Sequence, residues 1–169
     1  MRKKASQPFW KKENQVGKIS KKYLMEDKFI KEILSSSKTI AMIGVSSVKK
    51  DDPSNIKRRP SIIVMQYLQE FGYKVIPVNP FAVGKIINGE TVVEKLKDIN
   101  VPIDIVNVFR PSKEAPIIAK QAIEIGTKVL WLQYGIQSSE AEKIAESKNV
   151  TYISNKCIKQ EYQRLFLKS

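Results

Sequence analysis

Apolar and polar positions along this chain switch between two periods, and each switch marks an element. In Ile40-Ala41-Met42-Ile43-Gly44-Val45 five of the six residues are apolar, the pattern of a strand buried on both faces. Residues 26–36, just before it, carry Phe29, Ile30, Ile33 and Leu34 at helical spacing. The first strand is therefore read as Lys38 to Val45, followed by a polar loop over 46–59. Pro60 suits the first position of a helix. Val64, Leu68 and Phe71 mark its apolar face and Gly72 its end.

The alternation then repeats. Tyr73 to Val78 reads as a strand closed by Asn79-Pro80, with a short edge strand near Glu90–Val93 and a brief helix to Asp98. Ile103 to Phe109 is the next inner strand. Ser112 is the predicted N-cap of a helix lined by Ile118, Ala122 and Ile125. Val129 to Leu132 is a strand, and Ser139 with Glu142 has the spacing of a capping box. Val150 to Ile153 is the last strand, and 155–167 a terminal helix with Ile158, Tyr162, Leu165 and Phe166 as its apolar stripe. The prediction is an α/β fold: a Rossmann-like, doubly wound parallel sheet of five to six strands with helices on both faces. The first strand and the one ending at Phe109 should be neighbours across the switch point, where such sheets bind ligands.

Composition changes this picture at one end. The chain of 169 residues carries 30 Lys and Arg against 17 Asp and Glu, a formal charge of +13. Much of the excess lies before residue 26, on Arg2, Lys3, Lys4, Lys11, Lys12, Lys18, Lys21 and Lys22. Residues 1–25 are read as a basic, flexible arm and 26–169 as the folded domain. No apolar run approaches the roughly 20 residues of a membrane span, and no signal peptide is evident. With one cysteine, Cys157, there is no internal disulfide. These features point to the cytoplasm. The chain has no histidine, which excludes His-based triads, His metal ligands and His general bases.

Special residues sit at every predicted strand end: Gly44-Val45-Ser46, Asn79-Pro80, Phe109-Arg110, Gln133-Tyr134-Gly135 and Asn155-Lys156-Cys157. Turn residues belong at strand ends in any case, but glycine, hydroxyls and the basic run Lys57-Arg58-Arg59 before a helix start also make a cradle for phosphate. The dinucleotide fingerprint is incomplete. Gly44 lacks the second and third glycines, and the second strand ends on Asn79 rather than an acidic residue. A nicotinamide cofactor is disfavoured.

Ile43-Gly44-Val45-Ser46, Arg59-Pro60-Ser61, Gly72 through Pro80, Asp104 through Arg110, Trp131 through Gly135 and Lys156-Cys157-Ile158-Lys159 occur in this order. The set resembles the stand-alone coenzyme A-binding domain family of bacterial cytosolic proteins, itself similar to the coenzyme A-binding domain of the succinate–coenzyme A ligase α subunit. The resemblance spans roughly residues 27–166. It implies coenzyme A or an acyl-coenzyme A as ligand, with no established reaction for stand-alone members. By position, it implies that Gly44, Val45 and Ser46 approach the pyrophosphate and that Arg59 and Ser61 contact phosphate. It places Asn79 and Pro80 on the adenosine side, Phe109 and Arg110 as walls, and Gln133, Gly135 and Cys157 nearer the pantetheine arm. The long loop carrying Lys49-Lys50-Asp51-Asp52 leaves Lys57, Arg58 and Arg59 as alternatives for the phosphate contact.

The leading reading is a coenzyme A-binding module without chemistry of its own. A small coenzyme A-dependent acyl transferase or thioesterase using Cys157 is the second, with no histidine to activate the thiol. Cys157 also fits a small buried residue packing the terminal helix. A nucleic-acid-binding protein acting through the basic arm is the third. No membrane partner is implied, and a partner protein or homo-oligomer is left open.

Overall fold

The computed structural model describes residues 24–46 and 59–168. The basic arm up to residue 23, Ser47, and the loop carrying Lys49 through Asp52, Lys57 and Arg58 lie outside the described residues. Helix α1 covers 24–36 and turns Ile30 and Leu34 into the core while Phe29 faces solvent. Strand β1 (Thr39–Ile43) follows, then α2 (Pro60–Glu70) and β2 (Lys74–Val78).

The five parallel strands form one sheet in the order β2-β1-β5-β6-β7, where β5 is Ile105–Val108, β6 Val129–Leu132 and β7 Thr151–Ile153. The chain steps from β1 outward to β2, then returns to the other side of β1. Ile40, Ala41, Met42 and Ile43 pair with Val75 through Val78 on one edge and Ile105 through Val108 on the other. This is the anticipated switch point, between β1 and β5.

Side-chain alternation along these strands divides the core into two layers. Ile40, Met42, Val75, Ile105 and Trp131 pack beneath α1, α2 and the terminal helix. Ala41, Ile76, Val106, Val108 and Leu132 face α3 (Ala115–Glu124) and α4 (Ser139–Glu146). Alanines at 115, 119, 122, 141 and 145 are fully buried, which lets both helices lie close to the sheet. Trp131 is fully buried and donates its indole N–H to the Lys156 carbonyl at 2.8 Å. Among the described residues no helix is long and apolar enough to cross a membrane.

Four local expectations are corrected. The segment near Glu90 is not an edge strand of the main sheet. β3 (Ile86–Ile87) and β4 (Glu90–Thr91) form their own antiparallel hairpin, and Val93 makes a single bridge to Val78. Asn88 and Gly89 both have positive φ, 47° and 82°, as the tight hairpin turn requires. Ser112 does not cap α3. It opens a short 3-10 turn (Ser112–Glu114), and its hydroxyl accepts from the Gln137 N–H at 3.1 Å.

Ser138, not Ser139, caps α4, its Oγ accepting from the Ala141 N–H at 3.1 Å. The Tyr152 hydroxyl bonds both the N–H and the carbonyl of Ser138 and holds that residue extended, outside the helix. The terminal helix begins later than expected, as α5 (Ile158–Tyr162), and runs into a π-helical turn (Gln163–Leu167). Asn155, with φ 55°, sits in a turn and uses its side chain to accept from the Gly135 N–H at 2.7 Å.

Asp104 ties the amino-terminal edge of the sheet. Its carboxylate accepts from the Lys38 and Thr39 N–H groups at 2.8 and 3.1 Å and faces Lys128 Nζ at 3.6 Å. Burial alone would raise its pKa, but these donors and the lysine outweigh burial and hold it below the usual carboxylate value. A carboxyl with a depressed folded-state pKa adds stability above its unfolded value, about 3.9, and that stability is lost as pH falls through the folded value. Asp104→Asn should therefore cost about 1–2 kcal/mol at neutral pH. Urea denaturation at a series of pH values should show the gap to wild type closing below about pH 4.

Candidate functional site

At the end of β1 the backbone turns at Gly44, with φ 86°. A Cβ there would stand 2.6 Å from the Phe109 carbonyl oxygen and 2.8 Å from Arg110 Cδ. The glycine makes room for the end of β5. The Gly44 N–H donates to the Val78 carbonyl at 3.1 Å, and the Phe109 N–H to the Ile43 carbonyl at 2.9 Å. Three strand ends are thereby bound together at their carboxyl termini.

The residues predicted for the site fall into two groups around this junction. Val45 is fully buried in the core, and its carbonyl accepts from Asn79 Nδ2 at 2.8 Å. Asn79 Oδ1 accepts from the Phe81 N–H at 2.8 Å, so both ends of that amide hold loop backbone. Pro80 beside it is exposed. Ser46 donates its N–H to the Ser61 hydroxyl at 3.1 Å, joining the turn after β1 to the first turn of α2. Ser61 is buried, and Arg59, half-buried, is the N-cap residue of α2. Among the described residues no side chain caps that helix start, and no acidic residue lies in its first turn.

The second group lines a cavity of about 700 Å³ bounded by the start of α2, the ends of β5 and β6, and α5. Phe109, Arg110, Gln133 and Cys157 from the predicted set line it, with Pro60, Ile63, Val64 and Ile136 adding apolar wall. Gly44, Ser46, Arg59, Ser61, Asn79, Pro80 and Gly135 do not line it. Gly135, with φ 83°, turns the chain after β6.

Arg110 reaches the cavity already paired. Its Nε and one terminal nitrogen hold the Glu114 carboxylate at 2.6 and 2.8 Å. The hydrogen bonds from Arg110 hold the Glu114 carboxyl below its ordinary pKa, and Arg110 is itself shifted upward. The pair presents little net charge to an anion.

Gln133 is buried and anchored. Its Oε1 accepts from Asn107 Nδ2 at 3.1 Å and from the Ile158 N–H at 3.0 Å. Sequence reasoning missed Ile63, Val64, Ile136, Lys159, Gln160 and Gln163 as cavity walls. Gln160 and Gln163 lie three apart, off the apolar stripe of the terminal helix, and that polar face was the available signal.

The arrangement sets a helix start with no acidic residue in its first turn beside a cavity with mainly apolar walls, near the switch point of a parallel sheet. Residues 38–163 match the model of the CoA binding domain family. This chain belongs to that family. It is 42% identical over 130 residues to the uncharacterized protein YneT of Bacillus subtilis (strain 168), covering 77% of this chain and 89% of that protein. A Thermus thermophilus protein solved as cell-free ID.343 superposes with a TM-score of 0.74 at 36% identity, over 83% of this chain and 98% of that one. A hypothetical protein from Pyrococcus horikoshii OT3 gives a TM-score of 0.72 at 35% identity, over 82% of this chain and 91% of that one. Family membership therefore agrees with the resemblance drawn from the strand-end motifs.

Among the described glycines, Gly44 is the one where an added Cβ would meet neighbouring atoms. Gly44→Ala places a methyl group against the Phe109 carbonyl and a side chain at positive φ. It should destabilise the fold by about 2–4 kcal/mol in denaturant unfolding. A variant as stable as wild type would show that the β1 and β5 ends separate freely.

Proposed function

We propose that the cleft at the carboxyl ends of β1, β5 and β6 binds coenzyme A or an acyl-coenzyme A, and that the protein acts as a binding module without chemistry of its own. The observation that carries this reading is the start of α2. Among the described residues it has no side-chain cap and no acidic first-turn residue, and it opens beside the cavity. Such a helix start favours an anion through its N–H groups and dipole, while an apolar cavity of this size suits a slender organic arm. The ligand's two parts match the two groups of residues.

Phosphate is assigned to the turn at Gly44, Val45 and Ser46 and to Arg59 and Ser61 at the helix start. Asn79 and Pro80 border the adenosine, with Pro80 and loop backbone making the contact, since the Asn79 amide holds Val45 and Phe81. The pantetheine arm runs past Phe109 and Gln133 toward Gly135 and Cys157. Binding needs only donors, a positive edge and apolar walls. The chain has no histidine, and the carboxylates close to the cavity wall in sequence, Glu161 and Glu114, are already paired with Arg164 and Arg110.

Ligand that binds only the folded state raises stability by about 2.7 kcal/mol at one hundred times its Kd. For a chain of this size that is a rise in Tm of about 5–10 °C. Coenzyme A should produce it in a thermal-shift assay, and NAD and NADP should not. No shift with coenzyme A or acetyl-coenzyme A at millimolar concentration would overturn the reading. Arg59→Ala should weaken coenzyme A binding by about 1.5–3 kcal/mol in calorimetry, the range for charge-assisted hydrogen bonds. Unaltered affinity would move the phosphate contact to Lys57 or Arg58.

A further inference from the structure

Cys157 stands on the cavity wall, half-buried, as the residue preceding α5. Its side chain makes no capping hydrogen bond to that helix. The Ile158 N–H is already taken by Gln133 Oε1 at 3.0 Å. Cys157 packs against the core layer beneath the terminal helix and also stands on the cavity wall, with no helix-capping role.

A second observation points to a ligand at the same place. Gln133 is 5% exposed, and both of its side-chain hydrogen bonds among the described residues end on Oε1. Those two donors fix the amide orientation, so Nε2 cannot exchange places with Oε1 without opposing two N–H groups. Nε2 has no partner among the described residues. Among the described residues the fully enclosed side-chain atoms lacking a partner are Tyr67 Oη and Asn107 Oδ1, and we infer that Nε2, which is not one of them, faces the cavity that Gln133 lines. A fixed donor in a wall of Val64, Phe109 and Ile136 leaves one hydrogen bond for whatever enters. Lys159 lies on the same wall, its ammonium 5.3 Å from the centre of the Tyr67 ring.

We propose that this end of the cavity carries thiol–disulfide exchange: Cys157 captures coenzyme A from its disulfide as a mixed disulfide. The inference rests on the binding reading above, which brings the ligand's sulfur to this wall. The Cys157 thiolate attacks one sulfur of coenzyme A disulfide. A bond forms between Cys157 Sγ and that sulfur, and the original S–S bond breaks. The second coenzyme A leaves as a thiolate and takes up the proton Cys157 gave to solvent. The disulfide is itself the oxidant. Gln133 Nε2 positions the arm by accepting no proton and donating to its carbonyl, and Lys159 draws the polyanionic disulfide toward the thiol.

The test incubates the full-length protein with coenzyme A disulfide and, separately, with oxidised glutathione, and follows intact mass. An adduct of one coenzyme A per chain should form at least tenfold faster than the glutathione adduct. It should be reversed by dithiothreitol and be absent from Cys157→Ser. Gln133→Glu keeps the acceptor for Ile158 and removes the donor, so it should lower the ratio of the coenzyme A rate to the glutathione rate severalfold. Coenzyme A binding to Cys157→Ser is measured in parallel by calorimetry. Binding there with no adduct in wild type overturns the exchange and leaves the binding reading intact. Equal rates with the two disulfides also overturn the exchange, marking an ordinary accessible thiol, and equal rates without calorimetric binding overturn both.

Discussion

The carboxyl-terminal end of the sheet depends on how closely β5 approaches the glycine that ends β1. The Phe109 carbonyl occupies space that any Cβ at position 44 would need. Adjacent hydrogen bonds run from Gly44 to Val78 and from Phe109 to Ile43, so the constraint reaches β2, β1 and β5 together. The two connections leave this junction toward opposite faces. The chain after β1 continues into α2, in the layer with α1 and α5, and the chain after β5 continues into α3 in the other layer. A crevice opens where neighbouring strands send their connections apart. The cavity is thus a consequence of strand order, and beside it Gly44 lets the ends of β1 and β5 approach closely.

Its floor depends on a buried amide pair. Asn107 lies in the middle of β5 with no exposed surface and donates to Gln133 Oε1. Asn107 Oδ1 has no hydrogen-bond partner among the described residues, and an unsatisfied buried acceptor costs about 1–3 kcal/mol. An apolar residue of similar size at 107 would avoid that cost. The asparagine gives Gln133 a fixed orientation, and Gln133 in turn holds the first N–H of α5. One polar chain therefore runs from the central sheet through the cavity floor to the terminal helix.

The strand order and the location of the crevice were legible because they follow from patterns that burial enforces. Continuous apolar runs such as Ile40–Ile43 and Val129–Leu132 belong to strands covered on both faces, and these runs are buried. The local cap residues were less legible. Two serines stand side by side before α4, and the Tyr152 hydroxyl from a distant strand selects Ser138 over Ser139. The roles of individual strand-end residues were also only partly legible. Asn79 carries the amide that suits a ligand contact, but Val45 and Phe81 use both its ends. Arg110 carries the charge that suits phosphate, but a glutamate four residues on is one helical turn away and claims it. Spacing shows that such groups are near a site, and only the folded neighbours show whether they are engaged.

The same neighbours decide where an anion belongs. Helices that follow parallel strands begin at the carboxyl end of the sheet, so several positive helix starts crowd this edge. At α3 the residue before the first turn is Glu114, a carboxylate. At α4 the Ser138 hydroxyl caps the start, and Glu140 and Glu142 lie in the first turn. At α5 Glu161 lies in the first turn. Only α2 among these begins after a basic residue, Arg59, with no acid in its first turn and no side-chain cap. A carboxylate at a helix start neutralises the partial positive charge that an incoming phosphate would meet. Among these four described starts, the one beside the Gly44 turn is therefore the one whose positive end no cap or first-turn carboxylate offsets.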